Sequence, residues 1–155
     1  MLIDVSTPAK QAAVAAIVGD WIAGCATAGF NAVEIDNLDS YVRSMSRLTA
    51  DDAVATMQLF AQAAHAHALA IAQKNSTDLV PRKAEMGTDF VVAEECNRYS
   101  ECDAYRTDYG DHVLVIEYRQ QDFTAGCAAY PQLSIVLRDL NLVAPTQSGY
   151  VYDGC

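Results

Sequence analysis

The sequence predicts an α/β domain built on a parallel sheet, and three features carry that prediction. Six short apolar segments recur along the 155 residues. Alanine-rich stretches of helical periodicity separate the first three, and every segment starts apolar and finishes polar. A parallel strand reads this way because both its faces are covered while its end emerges toward solvent. The polar finishes are Asp4, Glu34 with Asp36, Lys74 with Asn75, Glu94 with Glu95, Glu117, and Arg138 with Asp139. With right-handed crossovers these ends share one side of the sheet, so carboxylates and two cations gather in one mouth, the usual site location in barrels and open α/β sheets.

Residues 2–5 are the first expected strand. Thr7 as N-cap and Pro8 at the first helical position start an alanine-rich helix running to about residue 28, with Val14, Ile17, Val18, Trp21 and Ile22 at helical spacing. Gly29 closes it, and GFNAVEIDN, residues 29–37, is the central strand. Alternation puts Ala32, Glu34 and Asp36 on one face and Val33 and Ile35 on the other. LDSYVRSMSR is polar and reads as an irregular functional loop, after which Thr49, Ala50, Asp51 and Asp52 cap a second long helix ending near Ala68. Further strands are expected over residues 69–74, 90–94, 113–117 and 134–138, with brief helices centred near Ala104 and Ala128. The tail APTQSGYVYDGC reads as irregular and tied down by Cys155.

Composition narrows the function classes. A 52% share of hydrophobic residues suits one domain with a sizeable core, and a net charge of -10 argues against nucleic acid. No apolar run reaches a membrane span, since Gly19, Asp20 and Trp21 interrupt the longest one, and no basic and apolar leader follows Met1. Five cysteines point to an oxidising compartment. Cys96 and Cys102 enclose NRYSE, a loop that a disulfide could close; Cys127 and Cys155 make a second candidate pair, which leaves Cys25 as a buried inert thiol on a helix. Zinc is disfavoured because no cysteines have CxxC spacing and His65, His67 and His112 are not arranged with them.

Several carboxylates at one rim shift one another's ionisation, so that one stays protonated while another is charged, which is the division of labour in glycoside hydrolysis. Asp36 and Glu94 share the inward parity, with Lys74 between them in chain order. Tyr41, Tyr99 and Tyr118 lie just past strand ends, where aromatic faces support sugar rings. Glu95, of opposite parity to Glu94, reads as a salt-bridge or capping residue. The competing chemistries are a divalent-cation site built from the same oxygens, as in aldolase-like or lyase enzymes, and a binding module without turnover.

Five ordered stretches, GFNAVEIDNLDSY, LAIAQKNS, FVVAEECNRYSEC, VLVIEY and LSIVLRDLNL, resemble the endo-α-1,4-polygalactosaminidase family, glycoside hydrolase family 114. Its members carry a GFDGVEPDN-like strand, a GLKND-like strand, an NEEC strand followed by a second cysteine, and a VEY strand, in that order. The resemblance implies a TIM-barrel (β/α)8 fold, secretion, no cofactor, and hydrolysis of α-1,4-linked galactosamine polymers, which are cationic. It places the catalytic acids on Asp36 and Glu94 and lines the cleft with Glu34, Lys74, Asn75 and Glu117, beside Tyr118. Glu34 and Glu117 would tune the acids or bind the amino sugar, and Lys74 would hold one carboxylate ionised. Cys96 and Cys102 match the family's loop disulfide.

Asn31, Ala68, Ser76 and Ala93 depart from the family pattern, which favours Asp, a helix-ending Gly, Asp and Asn there. The loss of an amide at Ala93 is expected to remove a substrate hydrogen bond. An eight-unit barrel takes about 250 residues. The expectation is therefore a single domain over 1–155, a partial barrel of about six βα units lacking the first two, whose open edges favour self-association. The alternative to a hydrolase is a non-catalytic carbohydrate-binding remnant.

Overall fold

The computed structural model describes residues 2–155. They form two compact units, one up to Phe90 and one from Val91 to Cys155. In the first, α1 (Pro8–Thr27) begins at Thr7, whose side chain accepts from Lys10 N, with Pro8 in the first turn. It is followed by β1 (Ala32–Ile35), a 3₁₀ helix (Leu38–Arg43), α2 (Ala50–Ala66), β2 (Ala70–Lys74), a second 3₁₀ helix (Thr77–Arg82) and α3 (Lys83–Met86). The capping box at Thr49 and Asp52 is formed in full. β1 and β2 pair parallel with Val33 opposite Ile71 and Glu34 opposite Ala72. Val33, Ile35 and Ile71 then point to the helices, where they join Ile22, Val54, Met57, Phe60 and Ala64 in the core.

In the second unit β3 (Phe90–Glu94) is followed by α4 (Cys96–Tyr99), α5 (Cys102–Tyr109), β4 (Val113–Glu117), α6 (Gln120–Ala129), β5 (Ser134–Arg138) and β6 (Tyr152–Gly154). β3, β4 and β5 pair parallel in order, with Ala93 opposite Val115 and Val115 opposite Ile135. Val91, Ala93, Val113, Val115, Ile135 and Leu137 are buried on the helix side, whereas Leu114 on the other face is 43% exposed. Two disulfides join Cys96 to Cys102 and Cys127 to Cys155; Cys25, half-buried on α1, is the free cysteine among the described residues.

Four local expectations are corrected. Residues 2–5 form no strand. Asp4 captures the chain locally, accepting from Ser6 N at 3.0 Å and pairing with Lys10 Nζ at 2.6 Å, so it serves the start of α1 rather than a strand end. The loop after β1 folds into a 3₁₀ helix. The tail is not irregular throughout: β6 runs antiparallel to β5 and covers that strand's edge. Ile17 and Trp21 do not join the core, Trp21 being 67% exposed. α1 carries charge only at Lys10 and Asp20, and periodicity cannot single out the buried stripe of a helix apolar nearly all round.

Ala68 ends α2 at φ 57°, in the left-handed region that disfavours a Cβ. Ala68→Gly is expected to stabilise the chain by about 1 kcal/mol, seen as a higher urea midpoint; an unchanged or lower midpoint refutes the strain.

Candidate active site

In the first unit the parity read from the sequence holds. Glu34 and Asp36 project from the β1 face that Lys74 shares on β2, because Glu34 is opposite Ala72 and each side chain two residues on returns to that face. Lys74 is 8% exposed, and its Nζ lies 3.5 Å from Glu34 Oε1 and 3.6 Å from Asp36 Oδ1. A buried ammonium between two carboxylates offsets their repulsion, and the partly exposed carboxylates return the compensation that its own burial demands. Asp36 also lines a concavity of about 430 Å³, with Asn37, Ser40, Tyr41 and Arg43 among its polar residues and Leu2, Ile3, Val14 and Phe60 among its apolar ones. Tyr41 donates its hydroxyl to Asp78 Oδ2, which ties the two 3₁₀ helices together.

In the second unit Glu94 ends β3 and accepts a hydrogen bond at Oε1 from the Tyr118 hydroxyl. Burial and this bond push Tyr118 above its ordinary value, so it remains a neutral donor. Glu95 pairs with Arg98 at 2.5 Å, the salt bridge that its parity suggests.

Glu117 is not brought to the face of Glu94. With Glu94 opposite Ile116, Glu117 belongs to the other face, with Ala93 and Val115. It is 0% exposed, and its Oε1 accepts from Asn97 N at 2.9 Å and Asn97 Nδ2 at 3.2 Å. Ala93, equally buried, lies on that face too, so its side chain points away from the side that bears Glu94. Burial pushes the Glu117 carboxyl above the ordinary carboxylate range; the Asn97 bonds oppose this, and the charges of Asp122 and Glu95 add to it. The folded state therefore holds this proton more tightly than the unfolded chain. The contribution of this group to stability is fully present below the ordinary range and is lost as pH rises through the raised folded-state value. Glu117→Gln, with no proton to lose, is expected to flatten that part of the decline in Tm against pH, and an unchanged slope refutes it.

Two features escaped the sequence reading. Gln73, the polar residue inside LAIAQKN, is fully buried and donates from Nε2 to the carbonyls of Asn75 (2.6 Å) and Ser76 (2.8 Å). Left-handed residues also follow three strand ends, Asn37 after β1, Asn75 and Ser76 after β2 and Glu95 after β3, with φ between 50° and 64°. Such strain persists where surrounding bonds over-determine the turn, and it gathers at functional sites. A polar residue interrupting an apolar strand is the one signal that could have pointed to Gln73.

The sequence model of glycoside-hydrolase family GH114 matches residues 1–155. Among solved structures, Aspergillus fumigatus Ega3, crystallised in complex with galactosamine, is similar with a TM-score of 0.77 at 25% identity. The match covers 98% of this chain and 63% of that one, so the chain spans less than two thirds of the Ega3 structure. The likeness bears out the TIM-barrel-like (β/α) fold. No curated protein matches the chain in sequence.

Proposed function

Because the chain belongs to glycoside-hydrolase family GH114, we propose that it cleaves α-1,4-linked galactosamine-containing polysaccharide by carboxylate acid/base catalysis, with Asp36 and Glu94 as the acid pair. The observation that carries this reading is that each acid ends a parallel strand beside a partner able to tune it, Lys74 for Asp36 and Tyr118 for Glu94. One carboxyl group protonates the glycosidic oxygen, and the other attacks the sugar or activates water. Glu34 lies on the face where Lys74 offsets the repulsion of the carboxylates, and Asn75, at the turn that follows, is assigned to substrate binding by its match to the family motif. The galactosamine held by Ega3 and the net charge of -10 support a cationic amino-sugar polymer as substrate. The two disulfides support an extracellular setting.

Incubation with de-N-acetylated galactosaminan is expected to release new reducing ends, and more slowly from the N-acetylated polymer, which lacks the positive charge. Retention of the polymer without release would instead make the chain a carbohydrate-binding module.

A further inference from the structure

Consecutive residues at the end of β4 grip the β3–α4 turn from its two sides. Tyr118 bonds Glu94 at the last position of β3, and Glu117, reaching along the helix face, bonds both the backbone and side-chain amides of Asn97 in α4. Only Glu95 and Cys96 lie between those anchored points. Glu95 is left-handed at φ 56°, and Cys96 is held by its disulfide. Asn97 is confined from a third direction, since a Cβ at Gly126 of α6 would collide with its amide. In the first unit Gln73 fastens the turn after Lys74 in a comparable way, a buried polar side chain gripping backbone from the helix face.

A left-handed glutamate needs such fastening to persist, and a buried carboxyl oxygen that accepts two amide donors supplies it. We infer that Glu117 is a positioning residue: by holding Asn97 it fixes the β3–α4 turn and so the presentation of Glu94 to Tyr118. The inference rests on the proposed role of Glu94 as a reacting acid, and it replaces the cleft-lining role that the family resemblance implies for Glu117.

The test uses the full chain carrying Glu117→Ala or Glu117→Gln. Three quantities are read: hydrogen exchange at the Asn97 amide, the ¹³C resonance of the Glu94 carboxyl at fixed pH, and kcat and KM on de-N-acetylated galactosaminan. Alanine is expected to speed exchange about tenfold or more, to move the Glu94 resonance, and to lower kcat by up to about 100-fold with KM nearly unchanged. Glutamine keeps a carbonyl oxygen for the Asn97 N–H and is expected to restore all three toward wild type. Should the alanine variant not fold, Glu117→Asp, one methylene shorter, is read by the same criteria. A raised KM at unchanged kcat in both variants would overturn the inference in favour of sugar contact. A lower Tm with exchange, resonance and kcat all unchanged would overturn it in favour of a core residue. If the wild-type chain releases no reducing ends, the hydrolase reading fails, while exchange and resonance still decide the role of Glu117.

Discussion

Glu94→Gln and Asp36→Asn are each expected to lower kcat on de-N-acetylated galactosaminan by about 10²- to 10⁴-fold while leaving the fold intact. The structure gives reasons to attribute such losses to chemistry. In Glu94→Gln the amide oxygen can still accept the Tyr118 hydroxyl, so the contact that orients the side chain is retained. In Asp36→Asn the buried Lys74 keeps Glu34 at 3.5 Å as a carboxylate partner, so the ammonium is not left without a counter-charge. What each variant loses is the capacity to exchange a proton or to carry negative charge at that position. Steady-state release of reducing ends, compared with thermal unfolding of the same samples, checks both halves of the expectation. Release at wild-type rate from either variant would show that the acids have been misassigned. A fall in Tm that parallels the fall in rate would make the loss structural.

The largest effect on stability is expected from removing the Cys127–Cys155 bridge. Its sequence separation of 28 closes a loop containing the end of α6, β5 and β6, for which loop-closure entropy corresponds to about 3–4 kcal/mol. Little else holds β6 in place. All three of its residues are exposed, and what attaches it includes the antiparallel pairing to β5, continued by the backbone bonds between Ile135 and Cys155, the bonds of Asp139 and Arg138 to Val151, and Arg138 over the Tyr150 ring. Cys127→Ser with Cys155→Ser is therefore expected to lower the unfolding free energy by that amount, seen as a lower denaturation midpoint, and to make residues 139–155 sensitive to protease. The freed edge of β5 would then be open to pairing with another chain, so a rise in self-association on sedimentation is expected as well. A double variant with wild-type midpoint and protease resistance would show that the strand pairing suffices. The Cys96–Cys102 bridge spans a separation of only 6, so its loss costs less in chain entropy.

Much of this architecture was legible from residue order because it depends on local periods. Alternation with a period of two put Glu34 and Asp36 on one face of β1, and the structure sets both within 3.6 Å of Lys74. Helix starts at Thr7 and Thr49 followed from hydrogen bonds made within four residues, and those bonds are present. Both disulfides joined the cysteines that the sequence paired.

Other features depend on partners distant in sequence. Residues 2–5 are as apolar as a strand, yet Asp4 binds their neighbours first and no strand forms. Glu117 ends an unbroken apolar run, VLVIE, which contains no alternation to say which face it joins; only the register of β4 against β3 sends it to Asn97 and away from Glu94. Tyr118 was visible as an aromatic near a rim, but that its hydroxyl meets Glu94 is a contact across 24 residues. Period and capping are properties of a short segment and can be read along it, whereas the face and partner of a buried polar group are set by pairing between segments.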